Sequence, residues 1–236
     1  MDPVLSLVAI AGLSYLIGSI PTAYIISKRF FGFDIRQKGS GNMGSTNAFR
    51  LLGTKWGITV QVVDILKGVA AVLLVTALFD GQMAFINRTP FEDVTVLRII
   101  AGSSAVLGHI FSVFVGFRGG KGINTGLGVL VGVAPVEVLI ILGIFMLVVM
   151  FSGYISLASM SAAVALPTSM AIRHNLFHVE IQGYHTLIFF CIALAIMVLY
   201  THRSNIKRLM AGNENRFQKL WLIRICGESS DSKPTS

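Results

Sequence analysis

The chain consists of long apolar runs separated by short polar stretches, without the period-two alternation of hydrophobic and polar residues that marks a half-buried strand. A membrane-spanning helix needs about 20 apolar residues, and lipid offers no hydrogen-bond partner to an open sheet edge. A transmembrane barrel would show short alternating segments instead. The pattern therefore predicts an all-α polytopic membrane protein. The candidate segments are Val4–Ile26, Trp56–Phe79, Val96–Val115, Leu127–Phe151, Tyr154–Ile172 and Tyr184–Tyr200.

The composition agrees with this fold class. The chain is 54% hydrophobic and 13% charged, whereas roughly a quarter of the residues of a soluble domain are charged. No basic leader precedes the first apolar run, so a cleaved signal peptide is not expected. The chain has two cysteines, Cys191 and Cys226, and both are expected to be reduced thiols. They indicate neither a disulfide framework nor a metal cluster. The net charge of +8 is assigned to loops against anionic lipid, and no nucleic-acid partner is expected.

The basic residues decide how often the chain crosses the membrane. With six crossings the Lys- and Arg-rich tail would lie outside together with the N-terminus, against the positive-inside rule. Pro135 lies within the fourth apolar run, and proline breaks or kinks a helix. Dividing that run into Gly122–Ala134 and Val136–Phe151 gives about seven crossings, with the N-terminus outside and the C-terminus cytoplasmic. Of the 19 basic residues, Arg88, Arg98 and Arg173 alone then lie outside.

One integral-membrane domain is expected over residues 1–215. Residues 216–236 form a basic and then polar cytoplasmic tail, and its composition predicts partial disorder. Four polar stretches of the domain fall on the cytoplasmic side, at residues 36–50, 117–126, 152–156 and 201–215. Independent loops have no reason to concentrate Gly, Ser, Asn, Arg, Lys and His on one side. A shared site at the inner membrane face explains this pattern.

The first polar stretch contains G-x-G-x-x-G at residues 39–44. A dinucleotide-binding loop of this pattern follows a β-strand, but here a membrane helix and a basic turn precede it. Two interpretations stay open, a flexible interhelical turn and a backbone nest whose N–H groups face an anion. In the second, Arg50 supplies a bidentate charge. The neutral donors would be Ser40, Asn42 and Asn47.

The second stretch, RGGKGINTG at residues 118–126, places glycine on both sides of Lys121. It departs from the P-loop pattern because glycine, not Ser or Thr, follows the lysine. Backbone N–H groups of Gly119, Gly120 and Gly122 could approach an oxyanion closely, and the following helix start favours negative charge. The alternative is a positive-inside anchor with glycines for close helix packing. Three glycines around one lysine favour phosphate binding, with Thr125 as a further candidate.

Ionisable residues also lie within the predicted spans. Asp64 and Lys67 are three residues apart on the second span, so they share a face and are expected to pair. Ionisable groups at such depth suggest a functional site, although a structural clamp beneath it is equally open. His109 lies in the inner half of the third span. It could contact a ligand, or it could form a hydrogen bond between helices. The remaining outer histidines lack partners at zinc-ligand spacing.

The last polar stretch follows the final span. His202 and Asn205 are three residues apart, so one helix face can offer both to a substrate hydroxyl. The alternative is an interfacial cluster of amphipathic side chains. Glu214 lies beyond them in the same stretch.

Taken together, the motifs resemble those of one family, the bacterial acyl-phosphate-dependent glycerol-3-phosphate acyltransferases of the PlsY type. Six motifs occur in the family's order and spacing over about residues 10–215. They are GSIPTAY (18–24), GSGNMGSTNAFR (39–50), DILKG (64–68), GHIFSVFVGFRGGKGINTG (108–126), YISLAS (154–159) and HRSNIKRLMAGNE (202–214). The sequence departs from the family pattern at Ser45 and Asn124, where the family usually carries smaller residues.

The resemblance implies transfer of a fatty acyl group from acyl phosphate to the 1-hydroxyl of sn-glycerol 3-phosphate, the first acylation step of phospholipid biosynthesis. It places Ser40 and Arg50 in a substrate loop and Lys121 at a phosphate. Ser156, His202 and Asn205 are expected at the reacting centre, with Glu214 supporting them. No cofactor and no metal are implied. The expected location is the bacterial inner membrane with the site on its cytoplasmic side, and coupling to an acyl-phosphate-producing enzyme is an expected partnership.

Two other classes of protein would also fit the basic clusters. A transporter or channel for an organic phosphate would need them, but transporters place their sites near the midplane, often with repeats and broken helices. A purely structural membrane subunit would not need two glycine-rich loops with cations. An H-x₄-D pair, which would indicate a His/Asp acyltransferase acting on a thioester, is absent from the sequence.

Overall fold

The computed structural model describes residues 3–75, 77 and 93–216, and these segments form helices joined by turns. The loop with Arg88 and the tail over residues 217–236, for which the sequence made predictions, lie outside the described residues. The helices are α1 (Pro3–Ser19), α2 (Thr22–Phe31), α3 (Ser45–Leu51), α4 (Thr54–Ala70), α5 (Asp93–Ile110), α6 (Ile123–Val133), α7 (Pro135–Ser152), α8 (Ile155–Asn175), α9 (Tyr184–Thr201) and α10 (Arg203–Met210).

The predicted all-α membrane fold is confirmed. Within the described segments, six helical stretches are long and apolar enough to cross a membrane, and α6 is a shorter apolar helix of 11 residues. The predicted division of the fourth apolar run is also confirmed, because α6 ends at Val133 and α7 begins at Pro135. Proline suits the first position of a helix, where its missing N–H would have no intrahelical acceptor. Seven crossings and the orientation of the two ends stay predictions.

The first apolar run differs from its prediction, because it is divided where the sequence indicated one segment. α1 stops at Ser19 and α2 starts at Thr22, on either side of Ile20 and Pro21. Pro21 cannot donate a backbone hydrogen bond and its ring crowds the preceding turn. The break leaves the carbonyl of Ile20 open to a side chain of another helix, and the Nζ atom of Lys67 donates to it at 3.0 Å.

Glycines bring two pairs of helices into close contact. A Cβ atom on Gly18 of α1 would overlap the carbonyl of Ala105, and one on Gly108 of α5 would overlap the carbonyl of Tyr15. In the same way, a Cβ atom on Gly128 of α6 would overlap the backbone of α4. Small residues allow such backbone contact, which is how membrane helices gain packing energy without a hydrophobic driving force between them. The close α4–α6 contact fixes α6, and with it the loop that carries Lys121.

An ion pair between a buried carboxylate and a partly exposed arginine joins α7 and α8 at the end of the bundle away from the polar stretches. Arg173, near the end of α8, places its Nη1 atom 2.5 Å from both carboxylate oxygens of Glu137 in the first turn of α7. Glu137 is fully buried, so the guanidinium provides the charge partner that a buried carboxylate requires. Sequence analysis placed Arg173 on the outer side but did not identify its partner.

Candidate active site

The four polar stretches meet around one cleft of about 270 Å³ at one end of the bundle. Each stretch supplies at least one wall residue that the sequence singled out. The cleft is lined by the predicted residues Ser40, Asn42, Asn47, Arg50, Lys121, Ser156, His202, Asn205 and Glu214. Residues from positions 40 to 214 of the chain therefore line one cleft, and the convergence that the distribution of polar residues indicated is present in the structure.

Asn47 holds the first glycine-rich loop in shape. Its Oδ1 atom accepts the N–H of Ser40 at 3.0 Å, and its Nδ2 atom donates to the carbonyls of Lys38 and Asn42 at 3.2 and 3.0 Å. The loop turns back at Gly39 and Gly41, whose φ angles of 61° and 69° lie in a region that glycine adopts without strain. Predicted as a substrate donor, Asn47 instead directs its described hydrogen bonds to the loop itself.

Asn42 makes a local bond of the same kind, because its Oδ1 atom accepts the N–H of Gly44 at 2.8 Å. Gly44 precedes α3, and Arg50 lies in the last turn of that helix. Arg50 lines the cleft while its side chain remains exposed. The ordered loop therefore determines where α3 begins and from which side the Arg50 guanidinium reaches the cleft.

Lys121 lies in the cleft and donates its Nζ hydrogen to Oδ1 of Asn205. Burial lowers the pKa of Lys121 to about 8; Glu214 acts in the opposite direction, while the positive charges of Arg208 and Arg50 lower the pKa further. Because burial disfavours the charged form of Lys121, an anion that enters the cleft stabilises that charged form. Arg50 and Lys121 line the same cleft, so the two cations can act on one anion.

Glu214 connects three polar side chains of the cleft wall. Its Oε1 atom accepts from Ser156 at 2.9 Å and from Nδ2 of Asn205 at 2.7 Å, and its Oε2 atom accepts from Nε of Arg208 at 2.7 Å. Burial alone raises the pKa of Glu214, but the hydrogen bonds from Asn205, Arg208 and Ser156 together leave it below its ordinary value. Glu214 is thus an anionic acceptor that orients the cleft wall, in keeping with its predicted supporting role.

His202 lies between α9 and α10 and is buried. Its Nδ1 atom is 2.8 Å from the carbonyl oxygen of Val198, and a carbonyl can only accept, so the proton is assigned to Nδ1. Burial lowers the pKa of His202 to about 4, and the charge of Lys121 contributes in the same direction. The neutral ring therefore presents an unprotonated Nε2 atom, which can accept a hydrogen bond from a hydroxyl group.

The second glycine-rich loop differs from its prediction at two positions. The N–H groups of Gly119 and Gly120 donate to the carbonyls of Ile110 and His109, at 2.9 and 3.0 Å. A Cβ atom on Gly119 would overlap the His109 carbonyl, and one on Gly120 would overlap the His109 ring. These two glycines thus close the loop onto the end of α5 instead of directing their N–H groups at the cleft. Gly122, with φ of 79°, makes the turn into α6.

A second group of predicted residues lies beneath the cleft. The predicted pairing of Asp64 with Lys67 is confirmed, with Oδ1 and Nζ 2.9 Å apart. Oδ1 of Asp64 also accepts from Thr22 at 3.1 Å and lies 3.9 Å from Nδ1 of His109. Asp64, His109 and Lys121 all border a small cavity of about 60 Å³.

The predicted residue Thr125 is buried in α6 without a hydrogen-bond partner for its hydroxyl, away from the cleft.

Sequence reasoning missed Arg208 and Ser159. Arg208 lines the cleft and binds Glu214. Its position three residues after Asn205 puts both on one face of α10, and that spacing could have identified it. Ser159 lines the cleft and also a separate, mostly apolar groove of about 130 Å³. The groove runs between α6, α7, α8 and α9, and its walls include Leu130, Phe145, Leu166 and Leu194.

Comparison with known proteins identifies the family of this chain. The model of a family described as glycerol-3-phosphate acyltransferase matches residues 8–212. The chain belongs to the glycerol-3-phosphate acyltransferase family. The glycerol-3-phosphate acyltransferase of Chlorobium limicola is 48% identical over 230 residues, which cover 90% of this chain and 97% of that protein. That of Chlorobaculum tepidum is 45% identical over 227 residues, with 90% and 97% covered.

The fold of this acyltransferase is also found in crystal structures of PlsY (YgiH), an integral membrane glycerol 3-phosphate acyltransferase. The glycerol 3-phosphate form of PlsY is 34% identical and has a TM-score of 0.74, covering 90% of this chain and 96% of that one. The lysophosphatidic acid form is 31% identical with a TM-score of 0.71, covering 93% and 98%. The resemblance to the PlsY type is confirmed.

Membership of the acyltransferase family decides between the classes of protein that the sequence left open. The protein is an acyltransferase and an integral membrane protein. The interpretations as a phosphate transporter and as a structural subunit are therefore wrong. Within the part of the chain that the structure describes, no group of three or more His, Cys, Asp or Glu residues is arranged to hold a metal ion.

Proposed function

We propose that this acyltransferase moves a fatty acyl group from acyl phosphate to the 1-hydroxyl of sn-glycerol 3-phosphate, giving lysophosphatidate and phosphate. One observation carries the proposal: a cleft with three cationic side chains adjoins an apolar groove, and Ser159 borders both. Each proposed substrate has a phosphate, and the donor also has a hydrocarbon chain. The junction of cleft and groove accommodates both parts, and the product would supply phospholipid biosynthesis.

The polar cleft is suited to two neighbouring phosphates. Arg50, Lys121 and Arg208 approach it from three different elements, and their charges offset the repulsion between two anions. Arg50 can bind phosphate with two parallel hydrogen bonds, whereas Lys121 acts as a point charge. A crystal structure of the related PlsY is a glycerol 3-phosphate form, which supports glycerol 3-phosphate as the acceptor.

The donor has its hydrocarbon chain in the apolar groove. Gly122 and Asn124, at the start of α6, line this groove and also the small cavity beside Lys121. A chain in the groove therefore brings its activated end to Lys121. Acyl phosphate is a mixed anhydride, so it needs no enzyme-bound acyl intermediate, and the absence of an H-x₄-D pair in the sequence is consistent with such a donor.

The reaction then proceeds by direct attack. The 1-hydroxyl oxygen of the acceptor bonds to the acyl carbon, the bond from that carbon to the phosphate oxygen breaks, and the departing phosphate takes the hydroxyl proton. Asn205 orients the hydroxyl, and Nε2 of neutral His202 accepts its hydrogen bond until the proton moves. Lys121 releases Asn205 and stabilises the charge that develops on the leaving phosphate.

In this proposal the protein spans the inner membrane of a bacterium, and its cleft opens to the cytoplasm. The support is the distribution of basic residues, because sixteen of the 19 lie on the cleft side when seven crossings are assumed. The donor's labile anhydride would favour supply by a nearby acyl-phosphate-producing enzyme. Cysteines introduced at the exposed residues Arg118 and Asn213 should react with an impermeant reagent from the same compartment, and reaction from opposite compartments would refute the topology.

The experiment that tests the donor offers the purified protein one acyl source at a time. Radiolabelled glycerol 3-phosphate is mixed with acyl phosphate, acyl-CoA or acyl carrier protein, and labelled lipid is extracted. Acyl phosphate alone should yield lysophosphatidate, with one phosphate released for each lipid formed. Lipid formed from a thioester and not from acyl phosphate would show that the proposed donor is wrong.

A further inference from the structure

Ser45 and Asn124 form a hydrogen bond between the two glycine-rich stretches. Nδ2 of Asn124 donates to Oγ of Ser45 at 3.0 Å, across 79 positions of sequence. Ser45 is the first residue of α3, which carries Arg50. Asn124 is the second residue of α6 and lies three positions after Lys121. These are the two positions at which the sequence departs from the family motifs, and the structure brings them into contact.

Asn124 lies where the apolar groove meets the polar residues. It lines the groove, and together with Ser45 it lines the small cavity that Lys121 also borders. Both residues are partly exposed, so a ligand can reach them. In an acyl phosphate the carbonyl is the group that joins the chain to the phosphate. A donor with its chain in the groove and its phosphate beside Lys121 therefore brings its carbonyl close to Asn124.

A primary amide has two N–H hydrogens on its nitrogen. The bond to Ser45 uses one of them and fixes the plane of the Asn124 amide. The second hydrogen remains for a ligand at the junction of groove and cavity. When a hydroxyl attacks the acyl carbon, the carbonyl oxygen gains negative charge, and a fixed donor beside it stabilises that charge.

We propose that Asn124 donates its second amide hydrogen to the acyl carbonyl oxygen of the donor, and that Ser45 positions Asn124 for this contact. The inference rests on the proposed function in one respect, since it takes the apolar groove to hold the acyl chain. Asn124 is then a catalytic residue and Ser45 a positioning residue. A purely structural pair would tie α3 to α6 without favouring the acyl carbonyl.

The test compares full-length variants in detergent, varying each substrate while the other is saturating. Asn124→Ala should lower kcat about 100-fold, the loss typical for one oxyanion donor, and leave KM for glycerol 3-phosphate unchanged. Asn124→Asp keeps the shape of the side chain but lacks the N–H groups, so it should be at least as slow as Asn124→Ala. Ser45→Ala should lower kcat less, Ser45→Thr should restore it, and adding Ser45→Ala to Asn124→Ala should cause no further loss.

Asn175→Ala is the matched control. Nδ2 of Asn175 also donates to a side-chain hydroxyl at 3.0 Å, that of Tyr184, at the end of α8 opposite Ser156. The 21 residues of α8 separate it from the cleft by about 30 Å. This variant should keep the wild-type kcat, while its thermal unfolding should show the loss of the bond to Tyr184 and of a second bond to the carbonyl of Ala171.

Three results would overturn the inference. They are a wild-type kcat for Asn124→Ala or Asn124→Asp, losses from Ser45→Ala and Asn124→Ala that multiply in the double variant, and an Asn124→Ala defect confined to KM for glycerol 3-phosphate. Failure of the proposed donor would look different, because the wild-type protein itself would not use acyl phosphate. The same variants would then be compared with the thioester that it does use, whose carbonyl occupies the same junction.

Discussion

Asp64 and Lys67 form an ion pair, Oδ1 to Nζ 2.9 Å, within a membrane helix, with 2% and 5% of their surfaces exposed. Lys67 also donates to the carbonyl of Ile20 at the Pro21 break, and Asp64 accepts from Thr22 just beyond it. The pair thereby joins α4 to the broken first segment. Asp64 also borders the small cavity that Lys121 borders, so the joined helices lie directly beside the cleft.

Breaking this pair should destabilise the protein. Lys67→Met leaves a buried carboxylate without its cation, which typically costs about 3–5 kcal/mol. Replacing both residues, Asp64→Leu with Lys67→Met, should recover part of that loss because no charge is left unpaired. Thermal unfolding in detergent measures both effects, with the exposed Lys55→Met as control. A double variant less stable than Lys67→Met would contradict this account.

Lys121 and Arg50, two of the three cations that line the cleft, should each be needed for acyl transfer. Lys121→Ala and Arg50→Ala each remove a charge that faces phosphate, so each should lower turnover by about 100-fold or more while the protein still inserts and purifies normally. Lys207→Ala and Arg203→Ala, on exposed positions of α10, are the matched controls and should remain active. Wild-type turnover in Lys121→Ala or Arg50→Ala would remove that residue from the site.

Activity should decline on the alkaline side as Lys121 loses its proton. Because burial lowers its pKa to about 8, the ammonium is present below that pH and is lost as pH rises through it. The pH profile of kcat/KM reports groups of the free enzyme, so its alkaline limb should lie near 8. Lys121→Arg keeps its charge at higher pH and should shift the limb upward. An unchanged limb in this variant would assign it to another group.

The close α4–α6 contact should be intolerant of a methyl group. Gly128→Ala would place a Cβ atom against the carbonyl of Ile65, whereas Gly143→Ala in α7 meets nothing within 4 Å. Overpacking typically costs about 1–3 kcal/mol, and moving α6 also moves Lys121. Gly128→Ala should thus lower both the unfolding temperature and turnover, whereas Gly143→Ala should lower neither. Equal behaviour of the two variants would contradict the packing role.

Features that depend on one stretch of chain could be predicted from the sequence. The length of the apolar runs predicted the membrane helices. Pro135, together with the distribution of basic residues, predicted the division before α7. The three-residue spacing of Asp64 and Lys67 predicted their ion pair. Each follows from local geometry or from the distribution of charge along the chain. The four polar stretches were also expected to converge, because a single topology placed them on one side.

Features that depend on contacts between distant stretches could not be predicted in the same way. The glycines around Lys121 favoured a phosphate-binding loop over close packing in the sequence, and only the three-dimensional contact with His109 shows that Gly119 and Gly120 serve packing. Asn47 has the kind of polar side chain that often contacts a ligand, but its hydrogen bonds hold its own loop. The bond between Ser45 and Asn124 has no periodic signal, since it joins the starts of two helices from separate motifs.

The shortness of α6 bears on how a newly made lipid leaves. Its 11 residues rise about 16 Å, roughly half of a hydrocarbon core of about 30 Å. On the proposed reaction, the acylated glycerol phosphate forms with its tail already at the depth of the surrounding leaflet. It can diffuse sideways between α6 and its neighbours into the bilayer, so that no carrier has to extract it through water.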